Sequence, residues 1–231
     1  MPNIEFEYLD EYSFRVCDRP VPGSESLPKW FKEMHPYEGG KLMIRDKISS
    51  ASAKKCTPML DGMTTGYTVH LWSDVIVEWE NDVPYIDWRV DHNVFSLHGE
   101  SSREIPPPIG YHNTVFKYLT WFRVKLPAGY SLIVQPPANR NPLPFMAVPA
   151  ILDSDKVAID TNIPVWISKE AKGVIEAGTP IAQLIPFKRE KWTSSFTEIS
   201  HDEHTINEDL GFKKTIVNNY VKNIWSKKEF S

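Results

Sequence analysis

The feature that most limits what this chain can become is the run YTVHLWSDVIVEWE, Tyr67 to Glu80, followed after Asn81-Asp82 by VPYIDWRV. It is rich in β-branched and aromatic residues, and much of it alternates. Val75 and Val77 fall on one face and Asp74, Ile76 and Glu78 on the other, the period of a strand with one buried side. Asn81-Asp82 reads as a hairpin turn, because both residue types tolerate the left-handed backbone that tight hairpins demand. Further strand candidates follow at Val94–Leu97, Val115–Lys125, Tyr130–Gln135, Ile163–Ile167 and Ile181–Phe187, with turns such as PPPIG and LPAG between them. Strands and helices do not alternate, which argues against a doubly wound parallel sheet. The class expected is mainly β with antiparallel sheets.

Proline usage agrees with this. The chain of 231 residues has 19 prolines and 11 glycines, the reverse of the usual order. Pro20, Pro22, Pro28, Pro36 and Pro58 break the first 62 residues into extended pieces, an irregular N-terminal wrap. Short helices are predicted from Pro28 through PKWFKEM and over Thr57–Thr64, prolines being suited to a first helical position. The tail, NEDLGFKKTIVNNYVKNIWSKK, places Val217, Tyr220, Val221, Ile224 and Trp225 on one stripe, which predicts a C-terminal helix over 207–228. The whole is read as one domain over 1–231, with its β body at 63–200.

The charge balance, 26 Lys plus Arg against 30 Asp plus Glu for a net −4, argues against nucleic-acid and membrane-surface binding, which draw on concentrated basic charge. No stretch approaches the roughly 18 apolar residues of a membrane span. The opening MPNIEFEYLDEY lacks a basic-then-apolar leader pattern, so a soluble protein made where it works is expected. Cys17 and Cys56 have neither zinc nor redox spacing and are expected to be reduced thiols. No dinucleotide or phosphate-loop glycine fingerprint occurs, nor a G-x-S-x-G elbow. His201 and His204 flank two carboxylates, and a barrel would bring His98 and His112 together, but HDEH lies in a polar stretch where a solvated loop is the ordinary explanation. No metal is expected.

Two lysines and several tryptophans remain as candidates. Lys54 and Lys55 are adjacent, and each ammonium favours the neutral amine of the other. Among the tryptophans, Trp30, in a proline-rich segment, and Trp72 are the first candidate platforms for a planar ligand, although packing is the ordinary use of an aromatic.

From Phe122 to Phe187 the chain resembles the trimeric dUTPase and dCTP deaminase superfamily. LPAGYSLIVQPPANR is similar to that family's turn and following strand, AVPAILDSDK to its G-[VI]-I-D-x-D-Y segment, and AGTPIAQLIPF to its G-x-R-I-A-Q-L-I strand. The resemblance implies a β-clip arrangement and a homotrimer with sites between subunits. Asp153 matches the aspartate that orders the attacking water. Lys156 stands where the family has its sugar-stacking tyrosine, and Pro137-Ala138-Asn139 where it has Arg-Ser-Ser.

A second resemblance covers essentially the whole chain. The order PKWFKEM, KKCTPMLDGMTTGY, LPAGYSLIVQPPANR, GTPIAQLIPFKREKW is similar to a family of phage and bacterial proteins that includes a marine cyanophage flavin-dependent halogenase. That resemblance implies reduced FAD, oxygen and a halide ion, iodide favoured, making hypohalous acid that attacks an electron-rich aromatic small molecule. It implies a flavin reductase as electron source and the cytoplasm of an infected host cell as location. Lys55, then Lys54, would relay the halogen, with Trp30 and Trp72 holding the substrate. The usual flavin-halogenase segments G-x-G-x-x-G and W-x-W-x-I-P do not occur, so the reduced flavin would diffuse in or stack on aromatics. Two alternatives stand beside it: a dUTPase-like or deaminase-like nucleotide enzyme using Asp153, and a non-catalytic trimeric phage binding module that docks through its C-terminal helix.

Overall fold

The computed structural model describes residues 2–37, 44–45, 48–49, 51–99, 105–156, 159–199, 221–222 and 224–231. In chain order the elements are β1 (Glu5–Tyr8), α1 (Glu11–Val16), β2 (Val21–Pro22), α2 (Lys29–Glu33), β3 (Ile44–Arg45), β4 (Ile48–Ser49), a 3-10 turn (Ala53–Lys55) and α3 (Thr57–Thr64). Then follow β5 (Tyr67–His70), β6 (Val75–Glu80), β7 (Val83–Trp88), β8 (Phe95–Leu97), β9 (Tyr111–Tyr118), β10 (Phe122–Lys125), β11 (Tyr130–Gln135) and β12 (Phe145–Ala147). The last are β13 (Ala150–Leu152), β14 (Ile163–Ser168), β15 (Gly173–Ile175) and β16 (Pro180–Lys188). The protein is mainly β, its sheets are antiparallel and its helices are few, as the alternation predicts.

The sequence is read as one domain; its contacts divide into two compact units. One comprises residues 1–26, 66–189 and 231, and the other 27–65 with 190–230.

The first unit is built on a five-stranded sheet, β13-β11-β16-β5-β2, and a four-stranded sheet, β12-β14-β9-β8. Ile163, Val165 and Ile167 alternate along β14 and are all buried, as are Leu132 and Val134 on β11 and Leu184 on β16. Each such side chain contributes about 1.5–3 kcal/mol by leaving water. Tyr118 joins the two sheets: its buried hydroxyl donates to the His70 carbonyl at 2.7 Å and accepts from the Trp72 N–H at 3.1 Å. Gly66, just before β5, lies so close to β16 that a Cβ there would meet the Leu184 carbonyl oxygen at 2.1 Å.

The hairpin forms as expected. Asn81 and Asp82 both take positive φ, 51° and 62°, and β6 pairs with β7 from Val75–Trp88 to Glu80–Val83. Val75 and Val77 are its buried face. The run from Tyr67 to Glu80 is nevertheless two strands in different sheets, because Leu71 and Trp72 turn into the core between them. The wrap is also less irregular than its prolines suggest. β1 pairs with β10, and Asp10 caps α1 by accepting from the Ser13 N–H at 2.6 Å while Ser13 Oγ accepts from the Asp10 N–H at 3.2 Å. Six residues are too few for a helical period to show, so this capping box is the local signal.

In the second unit, α3 spans Thr57–Thr64 as the Pro58 signal predicts, and α2 starts after Pro28. Residues 207–220 and 223 of the expected tail helix, like His201 and His204, lie outside the described residues. Trp225 Nε1 donates to both Asp61 carboxylate oxygens at 3.0 Å and Lys228 Nζ to one at 2.6 Å, so the chain end is fastened to α3.

Candidate functional site

Lys54 is fixed by the helix before it. α2 ends with unpaired carbonyls, and Lys54 Nζ donates to those of Phe31 at 2.6 Å and Lys32 at 3.0 Å. It also stands 4.8 Å over the Phe31 ring. A cation at the carbonyl end of a helix offsets the helix dipole, so Lys54 serves as a helix cap. Lys55 Nζ sits 5.2 Å over the Tyr37 ring. Trp30 is exposed, at 41%, and meets Phe31 edge-on at 5.5 Å.

Trp72 does not form a platform, and that expectation is corrected. It is only 6% exposed, and its indole N–H donates to the Leu119 carbonyl at 2.9 Å. The Tyr118 hydroxyl on β9, bonded to the His70 carbonyl and the Trp72 N–H, holds it in the core, where its ring packs and offers no open face.

Asp153 lies in a clamp at one end of the five-stranded sheet. Its Oδ1 accepts from Ser131 Oγ at 2.6 Å and from Arg189 Nη1 at 3.2 Å, and Lys156 Nζ is 3.6 Å from Oδ2. Neighbouring Asp155, its side chain 5% exposed, takes both ends of the Arg189 fork and the Gly129 N–H at 2.8 Å. Arg189 Nη1 also donates to the Tyr130 carbonyl at 2.8 Å. The Arg189 hydrogen bonds hold the Asp155 carboxyl down at about 2, and the Ser131 hydroxyl lowers that of Asp153. Carboxylates so stabilised are weak bases. The cluster's evident work is to stitch the turn before β11, the loop after β13 and the end of β16 together.

Among the described residues, His98 and His112 take different neighbours. The β8–β9 register sets His98 opposite Val115, with its N–H on the Val115 carbonyl at 3.1 Å, while His112 packs edge-on against Trp79 at 5.5 Å. His92 is packed between the rings of Tyr12 and Trp121, with centroids at 4.2 and 4.3 Å. Among the described residues no group of three His, Cys, Asp or Glu is placed to hold a metal. Cys17 and Cys56 are free thiols, and burial pushes that of Cys17 up to about 12, which leaves it inert.

Among the described residues there is also an aromatic-lined groove that the sequence reading did not single out. A groove of about 300 Å³ runs between β1, α1, β2 and β5, lined by Phe6, Tyr8, Phe14, Arg19, Pro22 and Tyr67 among others. Phe6 meets Tyr67 edge-on at 5.3 Å, and Tyr8 meets Phe14 at 5.7 Å. Phe14 is 54% exposed at the rim, with the Arg19 guanidinium 5.1 Å over its ring. Burial raises the phenols of Tyr8, to about 12, and Tyr67, so both keep their protons. A size near 300 Å³ is at the low end of small-molecule pockets, which run about 300–1,000 Å³. It has room for one aromatic ring system. The signal available in the sequence is the aromatic density of EFEYLDEYSF, residues 5–14.

Set against known proteins, the chain matches no protein-family model and no curated protein.

Proposed function

We propose that the protein is a flavin-dependent halogenase acting on small electron-rich aromatic molecules. The chemistry comes from the whole-chain resemblance, and the observation that carries it onto this structure is the groove of Phe6, Tyr8, Phe14 and Tyr67 with Arg19 at its rim. Edge-to-face rings hold a planar substrate with little conformational loss. Reduced flavin, oxygen, a proton and halide would yield oxidised flavin, water and hypohalous acid. The aromatic carbon then bonds to the halogen, its own proton leaves, and water is released.

In this reading the groove orients the ring and excludes bulk water, while Arg19 attracts a halide or hypohalite to its mouth. The groove is too small for a whole FAD, so the flavin serves as a diffusible reduced cosubstrate supplied by a flavin reductase. Lys55 is the lysine retained as a relay, since Lys54 is spent on the α2 carbonyls. A homotrimer in the cytoplasm of an infected host cell belongs to the same reading.

The test is iodination of an electron-rich phenol, followed by mass spectrometry. Product must require native protein, reduced flavin and iodide together, and Phe14→Ala should raise KM several-fold. Iodination that persists with heat-denatured protein would come from free peroxide and iodide, and would end the proposal.

A further inference from the structure

A second cluster lies apart from the groove. Ser26 Oγ is 2.8 Å from His70 Nε2, and Arg140 Nη2 donates to the same oxygen at 3.2 Å. Ser26 is 9% exposed, and His70 and Arg140 are half-buried. The serine oxygen accepts from the guanidinium, and with the imidazole neutral and Nε2 unprotonated its hydroxyl donates to His70. The spacing is that of a nucleophile and its base. Two facts speak against that use: the arginine occupies an oxygen lone pair that attack needs, and burial together with the Arg140 charge drops His70 to about 4, a feeble base at neutral pH. The pair instead supports Arg140.

The loop bearing Arg140 is built to aim it. Gln183, 1% exposed in the middle of β16, accepts the Ala138 N–H on its side-chain oxygen at 3.2 Å. Asn139 then takes a left-handed φ of 57°. These two constraints fix the backbone immediately before Arg140. Among the described residues no carboxylate forms an ion pair with its guanidinium, and the hydrogen bond to Ser26 uses one of its five N–H donors.

We infer that Arg140, backed by Ser26 and His70, binds the oxyanion group of a small ligand, a carboxylate or phosphoryl group. A guanidinium that has surrendered part of its hydration recovers it best from a two-oxygen acceptor matching its fork. Ser26 adds a second donor when its hydroxyl turns from His70 to the anion. The site is separate from the aromatic groove, since Tyr67 and His70, three positions apart on β5, point to opposite faces of the sheet.

The test follows thermal unfolding of the full chain in sodium acetate and, separately, sodium phosphate, each against sodium chloride at the same ionic strength and pH. Ligands that bind only the folded state raise Tm saturably. Wild type should show such a rise with at least one oxyanion. Arg140→Met should lose it, and Ser26→Ala should keep it at weaker affinity. A rise in acetate alone identifies a carboxylate site, in phosphate alone a phosphoryl site, and in both a general oxyanion site. An equal rise in chloride, no rise in either oxyanion, or a rise undiminished in Arg140→Met overturns the inference. Because no carboxylate among the described residues pairs with the replaced charge, Arg140→Met should fold with an unliganded Tm at or above wild type. Should it not fold, the wild-type His70 ring resonances decide: movement on adding the active oxyanion supports the site, and no movement overturns it.

Discussion

Replacing Gly66 with alanine should be among the most damaging single-methyl changes in the first unit. Gly66 has a φ of +76°, and an added Cβ would lie 2.1 Å from the Leu184 carbonyl oxygen, 3.0 Å from its carbon and 3.1 Å from Ile185 Cα. The left-handed backbone alone costs an L-residue about 1–2 kcal/mol. Reaching ordinary contact, at least 3.4 Å, requires a movement of more than 1 Å. Every obstructing atom is backbone in β16, so no side-chain rotation relieves the overlap. The chain must open where Tyr67 pairs with Leu184 and where Gly66 O accepts from the Gly23 N–H at 2.9 Å. Losing these two bonds adds about 0.5–1.5 kcal/mol each, for a total of ~2–5 kcal/mol, a large part of a typical domain's 5–15 kcal/mol. The control is Gly173→Ala, where φ is +72° but nothing lies within 4 Å of the new methyl; it should cost only about 1–2 kcal/mol. Urea unfolding by tryptophan fluorescence measures both. If Gly66→Ala falls within about 1 kcal/mol of Gly173→Ala, the close approach of β5 to β16 is not as described.

His70 gives a pH signature. Its folded pKa of about 4 lies below the ordinary 6.5, so its contribution is complete above 6.5 and is lost as pH falls toward 4, where the unfolded chain takes up a proton that the folded one refuses. The shift corresponds to at most ~3 kcal/mol at about 1.36 kcal/mol per unit, and solvent contact reduces this to about 1–2 kcal/mol. Urea midpoints at pH 7 and pH 5 should converge for wild type and His70→Gln as pH falls; parallel profiles would refute the shift. Lys54→Met uncaps α2 and should destabilise by about 0.5–1.5 kcal/mol while leaving iodination intact. A loss of kcat without a loss of stability would instead return Lys54 to the relay role.

What was legible in the sequence was what neighbouring residues settle between themselves. Asn81-Asp82 favours a hairpin through its tolerance of positive φ, Pro58 starts α3, and the alternation of Val75 and Val77 marks a buried face. β11, over Tyr130–Gln135, coincides with its expected span, and β14 and β16 extend theirs by a residue at one or both ends. The candidate sites were read less well, because a lysine's or tryptophan's use depends on which distant group reaches it. The adjacency of Lys54 and Lys55 suggests reactivity, whereas the carbonyls that hold the Lys54 ammonium, those of Phe31 and Lys32, lie more than twenty positions away. Trp72 looked like a platform until Tyr118 and Leu119 drew it inward.

The sequence by itself determined a β-rich chain with antiparallel hairpins, because alternation and turn chemistry act over a few residues. Tertiary structure alone decided that Phe6 and Tyr8 share a groove with Tyr67, and that Ser26, His70 and Arg140 converge across separations of 44 and 114 positions. Those meetings follow from β5 lying between β2 and β16 in one sheet. That order is set by burial summed over the whole core, which no local window of sequence contains.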